Sequence, residues 1–138
     1  MRAAVTPALR RSLPAVPASV PRLRAAVADF VAAAGVREPQ LAAVKLAVSE
    51  AVTNAVVHAY ADADAPGDVH VQTFVHGDTL YVTVSDDGAG IMPRLDSPGL
   101  GVGLPFIAET ADTLDIATTD AGGTELRMSF RLGSPEAN

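Results

Sequence analysis

Cysteine is absent from the chain, which excludes disulfides, thiolate zinc sites and a cysteine nucleophile, and suits a reducing compartment. Acidic residues are absent from the first 28 positions, which instead hold five arginines, Arg2, Arg10, Arg11, Arg22 and Arg24. The rest of the chain carries the other five cations and all 16 acids, so no basic stripe for nucleic acid crosses its body. An arginine-rich, acid-free start has the composition of a transit peptide, but Pro7, Pro14, Pro17 and Pro21 would break an amphipathic helix there. The apolar stretch of a secretory signal is lacking as well. Nor does any apolar run approach the roughly 20 residues that span a bilayer; the longest, Leu41 to Tyr60, is interrupted by Lys45, Glu50 and Asn54. The expectation is a soluble, cytoplasmic protein that contacts neither membrane nor nucleic acid directly.

What is present suits one packed domain, since 138 residues with 49% apolar content can build a single core. The stretch to about Ser19 reads as an arm with one short strand near Leu9 to Leu13. Ser19 as N-cap, Pro21 in the first turn and Gly35 as C-cap bound a first helix, and Leu23, Val27, Phe30 and Val31 give it one buried face. A second helix covers about Pro39 to Tyr60, with Leu41, Val44, Val48, Ala51 and Ala55 in the same stepping. The period then changes to two. Val69, Val71, Thr73 and Val75, then Leu80, Val82 and Val84, alternate with polar residues around a turn at His76, Gly77 and Asp78, which predicts a β-hairpin. A glycine- and proline-rich loop from Asp87 to about Leu100 leads into a short helix ending near Asp112. Strands over Leu114 to Thr118 and Thr124 to Leu132 follow. This predicts an α+β two-layer sandwich, a mainly antiparallel mixed sheet covered on one face by helices. The domain is expected over residues 19–133, with an arm over 1–18 and a tail over 134–138.

Polar residues at inward positions carry the chemistry. Asp86 continues the inward parity of Leu80, Val82 and Val84, and Thr124 shares that of Leu126, Met128 and Phe130. In the second helix Glu50, Asn54 and His58 stand four apart, a polar ridge among apolar neighbours. A carboxylate in such surroundings is costly unless paired, and a ridge of this kind serves a ligand or a water-filled pocket. Plainer readings exist for each: a solvent face for Glu50 and Asn54, an Asp-Gly turn for Asp86 to Gly88, a hydrogen-bonded helix residue for His58, a strand former for Thr124. Their combination is what favours a site.

Gly99, Gly101 and Gly103 open the third helix, where backbone can approach a phosphate and unpaired N–H groups meet it. Two common nucleotide signatures fail. The P-loop needs a lysine here, but the only lysine is Lys45, and the dinucleotide fingerprint needs a glycine at position 104, which is leucine.

The run Leu46-Ala47-Val48-Ser49-Glu50-Ala51-Val52-Thr53-Asn54-Ala55-Val56-Val57-His58-Ala59-Tyr60 resembles the N-box of the GHKL ATPase/kinase superfamily, and within it the anti-sigma-factor serine kinases of the RsbW and SpoIIAB type. Asp86-Asp87-Gly88-Ala89-Gly90 resembles the Asp-x-Gly-x-Gly box, Gly101-Val102-Gly103 the second glycine box, and Gly123-Thr124 with Leu126 the final Gly-Thr box. Order and spacing agree from about Ser19 to Leu132. The resemblance implies a Bergerat-type ATP site. In it Asp86 accepts from the adenine amino group with support from Thr124, Asn54 coordinates magnesium, and Gly101 and Gly103 bring N–H groups to the phosphates. His58, Gly88, Gly90, Ile91, Gly99, Val102 and Leu104 complete the ATP-binding set, and the segment from Ile91 to Leu100 is the lid. Glu50 is the implied general base, taking the proton of an acceptor serine. The implied partners are a STAS-type anti-anti-sigma protein, a sigma factor and a second copy of the chain, forming a homodimer to which the arm contributes.

One departure matters. Kinases of the family often carry an arginine two residues before the second glycine box; here that place is Gly99, and Arg94 is the only cation in the lid. This leaves a second reading open, a non-catalytic ATP-dependent switch that binds partners without phosphoryl transfer. A detached histidine-kinase catalytic domain is a third, set back by the glutamate-containing box and the lack of a phosphoacceptor helix.

Overall fold

The period-two runs of valine and leucine pair into a sheet, and the runs stepping by three and four form the helices that cover it. The computed structural model describes residues 8–60, 64–88, 103–120 and 122–133, with residues 103–106 described by backbone alone. In chain order the elements are β1 (Leu9–Pro14), α1 (Ser19–Ala33), α2 (Gln40–Asn54) running on into a π turn (Ala55–Ala59), β2 (Asp68–His76), β3 (Thr79–Asp86), α3 (Gly103–Thr110), β4 (Thr113–Thr118) and β5 (Thr124–Arg131). The five strands lie in the order β1-β2-β3-β5-β4. All four pairings are antiparallel, so the mixed character expected of the sheet is not found among the described strands. Gly77, at φ +62°, makes the tight β2–β3 turn. β5 then slots between β3 and β4, which sets the end of β3 beside the start of β5.

One face of the sheet is covered. Val69, Val71 and Val75 of β2, Leu80, Val82 and Val84 of β3, and Leu126, Met128 and Phe130 of β5 are buried with Leu23, Val27 and Val31 of α1, Val44, Val48 and Val52 of α2, and Ile107 of α3. Each such side chain contributes about 1.5–3 kcal/mol on burial, so the inward rows of α1 and α2 suffice to hold the helical layer in place. The opposite face is mostly polar, with Gln72 and Arg127 exposed, and carries the stacked rings of Phe74 and Tyr81.

Two local expectations need correcting. Ser19 is not the N-cap of α1: Ala18 takes that place without a side-chain bond, and Ser19 is the first helical residue, buried. Backbone bonds from the Ser19 and Val20 amides to the carbonyls of Val16 and Pro17 start the helix instead. Gly35 lies one place past the cap at φ +98°, and the Gly35 and Val36 amides reach back to Ala32 and Val31, a turn that only glycine enters without strain. The helical run Gln40–Ala59 also corrects the expectation that no segment approaches membrane-spanning length, because by length and composition it is apolar enough to cross. Its row Val44, Ala47, Val48, Ala51, Val52 and Ala55 is buried against the rest of the fold, whereas Leu46 and Val57 on other sides of the run are exposed.

Candidate functional site

Strand parity delivers the first pair of polar side chains. Asp86 ends β3 and Thr124 begins β5, and both are buried on the helical side, at 7% and 9% exposure. A buried carboxylate costs several kcal/mol unless it is bonded. Here the backbone N–H groups of Gly88 and Thr124 donate to it at 2.9 and 3.3 Å. Both land on Oδ1, and Oδ2 takes no bond from a described residue.

Two glycines make this approach possible. A Cβ at Gly123 would collide with the Asp86 carbonyl oxygen, and one at Gly88 with the Ala59 carbonyl oxygen. Strand end, strand start and π turn therefore meet where two side chains are missing. Tyr60, just past the π turn, ties the same corner. Its hydroxyl donates to the Asp68 carbonyl at 2.7 Å and accepts from the Asp87 amide at 2.9 Å. Burial pushes the phenol above its ordinary pKa; the Asp87 amide bond opposes this, and the carboxylates of Asp86, Asp87 and Asp68 add to it.

On the helical side Glu50 and Asn54 stand one turn apart on α2, both half-buried. The Asn54 amide nitrogen is buried and has no hydrogen-bond partner among the described residues. Such a group costs about 1–3 kcal/mol, a penalty that an acceptor or, with the amide turned over, a cation would relieve. The ridge expected from Glu50 through Asn54 to His58 does not continue in α geometry, because the helix widens into a π turn after Asn54. His58 sits half-buried on that turn, close in sequence to the Ala59 carbonyl that Gly88 approaches. π turns are frequent at functional sites.

The structure thus brings Asp86, Gly88 and Thr124 into direct contact and sets Glu50 and Asn54 on the covering helix, with no hydrogen bond between the two groups. Gly103 and Leu104 open α3 in helical backbone. Gly90, Ile91, Gly99, Gly101 and Val102, with the lid and its Arg94, lie outside the described residues. Gly123 and Tyr60 were not singled out as site residues from sequence. The only signal for either was position, beside Thr124 in one matched segment and at the end of the Leu46–Tyr60 run in another.

With this geometry in place, comparison with known proteins decides the family. The family model of a histidine kinase-like ATPase domain matches residues 13–130. The chain belongs to that family. Among curated relatives, the anti-sigma F factor of Thermoanaerobacter sp. (strain X514) is 31% identical over 122 residues, 80% of this chain and 84% of its own. That of Clostridium novyi (strain NT) is 32% identical over 124 residues, 82% of this chain and 86% of its own. That of Bacillus subtilis (strain 168) is 28% identical over 127 residues, covering 83% and 85%. The crystal structure of the RsbU and RsbW domains of a Mycobacterium tuberculosis protein superposes with a TM-score of 0.74 at 28% identity. It covers 94% of this chain, which spans about a third, 34%, of that longer protein. The α+β fold and the GHKL-type membership expected from sequence are those found, and the family implies an ATP site.

Proposed function

We propose that the chain is an ATP-dependent anti-sigma factor and serine-protein kinase, which holds a sigma factor and transfers a phosphoryl group to a serine of a STAS-type anti-anti-sigma protein in the cytoplasm. The observation that carries this reading is the Asn54 amide, buried without a hydrogen-bond partner among the described residues and one turn from Glu50. Its NH₂ group suits a phosphate acceptor, and with the amide turned over its oxygen suits a phosphate-bound cation beside a general base.

The residues present fit ATP with magnesium. Asp86 Oδ2 is the oxygen for the adenine amino group, with Thr124 beside it, and Asn54 would hold magnesium. Among the described residues no group of three His, Cys, Asp or Glu side chains could hold a metal. Magnesium takes one or two protein ligands and completes its shell with phosphates and water. When bound, the ion neutralises charge on the phosphates. Glu50, in apolar surroundings on α2, takes the proton of the acceptor hydroxyl.

The anti-sigma F factors among its relatives support the sigma-factor part of the partner assignment. The rival reading, a switch that binds ATP and partners without transfer, draws on Gly99 where kinases of this kind carry an arginine. Incubation with labelled ATP and a STAS protein encoded nearby distinguishes them. Label on a partner serine, lost in Glu50→Gln while ATP binding persists, is the expected result. Binding of ATP and partner with no label in the unaltered chain would overturn the kinase and leave the switch.

A further inference from the structure

The face of the sheet turned away from the helices carries a second line of reactive groups. Ser12 on β1, His70 on β2 and Asp87 just past β3 are joined in series: Ser12 Oγ lies 2.7 Å from His70 Nδ1, and His70 Nε2 lies 2.8 Å from Asp87 Oδ2. Register explains the alignment. Ser12 pairs with His70, His70 pairs with Ser85, and Asp87 shares the parity of Ser85, so all three project to the polar face. The Asp87 amide bond to Tyr60 fixes the backbone that carries the carboxylate.

The chemistry of the donors sets the proton positions. An ionised carboxylate only accepts, so His70 Nε2 carries its proton towards Asp87. A neutral ring then presents the Nδ1 lone pair to the Ser12 hydroxyl. A hydroxyl donating to an imidazole that a carboxylate orients is the arrangement that makes serine a nucleophile; here Nδ1 faces the hydroxyl and Nε2 the carboxylate, the reverse of the serine-protease triad. Ser12 and His70 also line a cavity of about 160 Å³ together with Arg10, Gln72, Ser85 and Glu125, whose carboxylate is paired with Arg127. Arg10, opposite Gln72 in the register, brings a positive charge beside Ser12. That charge can attract an anionic substrate and stabilise an oxyanion. Nucleophile, base and cation thus line one small opening, and the orienting carboxylate of Asp87 holds the imidazole at its other nitrogen.

We propose that Ser12 is an activated nucleophile that accepts the acyl group of a small anionic ester. Ser12 Oγ attacks the ester carbonyl carbon as its proton passes to His70 Nδ1. The bond to the alcohol oxygen then breaks, and that oxygen leaves with the proton from His70. Water repeats the sequence on acyl-Ser12, releasing the acid and restoring the hydroxyl. ATP takes no part.

The full chain is treated with a fluorophosphonate probe, which bonds phosphorus to an activated serine oxygen with loss of fluoride, and the adduct is located by peptide mass mapping. In parallel, release of p-nitrophenol from p-nitrophenyl succinate and p-nitrophenyl acetate is followed. The expected result is a single adduct at Ser12, absent in Ser12→Ala, and a labelling rate at least about 100-fold lower in His70→Gln. The succinate ester should turn over faster than the acetate, with both rates falling to background in Ser12→Ala. Unchanged thermal melts of the two variants show that folding is intact. No adduct at Ser12, equal labelling in His70→Gln, or ester turnover that survives Ser12→Ala would overturn the proposal.

Discussion

Replacing Asp86 by asparagine separates the fold from the site. Oδ1 of Asp86 accepts from the Gly88 and Thr124 amides, and an asparagine in the same rotamer keeps an oxygen at that point. Only Oδ2 is exchanged, for an NH₂ group. Stability should therefore change by less than about 1 kcal/mol, the range of a single net hydrogen bond. Alanine instead strands two amides in a corner where Asp86 is 7% exposed. At about 1–3 kcal/mol for each unsatisfied donor, Asp86→Ala should cost about 2–6 kcal/mol. For ATP the order reverses in meaning, because the asparagine presents a donor to the amino donor of adenine. Loss of a charge-assisted bond and the stranding of two facing donors together cost about 3–6 kcal/mol, roughly 10²- to 10⁴-fold in Kd. Urea unfolding measures the first quantity and calorimetric ATP titration the second. An Asn variant that titrates with the Kd of the unaltered chain would refute the adenine assignment. An Ala variant with an unchanged urea midpoint would refute the bonding argument behind it.

Asn54→Ala removes a buried amide nitrogen that has no partner among the described residues. Its urea midpoint should match or exceed that of the parent, while titrations with and without magnesium should show the magnesium-dependent part of ATP affinity gone. Gly123→Ala forces a methyl against the Asp86 carbonyl. Overpacking of about 1–3 kcal/mol should lower its thermal midpoint, and ATP affinity should fall about tenfold or more as the Thr124 amide is pushed off the carboxylate. Tyr60→Phe removes a hydroxyl that bonds Asp68 and Asp87, at a cost of about 1–2 kcal/mol in urea unfolding. Because the folded phenol holds its proton more tightly than the unfolded one, its contribution is full below about pH 10 and is lost as pH rises through the raised folded value. Urea midpoints measured across that alkaline range should show a fall in the parent that is smaller in the Phe variant.

Much of this is legible in the sequence, and the reason is periodicity. Alternation in Val69 to Val75 and Leu80 to Val84 specifies one buried face, and parity alone then aims Asp86 at the helices, where it lies buried at 7% exposure. The three-and-four stepping of Leu23, Val27 and Val31, or of Val44, Val48 and Ala51, specifies the helices as directly. Ser19 shows the limit of local rules: its type suits a cap, but its position in the tertiary structure is inside.

What only the tertiary structure decided are relations between segments distant in sequence. Nothing in the residues around Gly123 says that the Asp86 carbonyl will occupy the space of its missing side chain. The switch from α to π geometry after Asn54 interrupts a ridge that regular spacing would have continued through His58. Tyr60 bonds Asp68 and Asp87 only because helix end, strand start and strand end arrive at one corner. The line from Ser12 through His70 to Asp87 spans 75 residues of numbering and exists only in the register of β1, β2 and β3. Local patterns set the faces of each element because a side chain's direction depends on its own backbone. The meeting of those faces depends on packing, which no single segment contains.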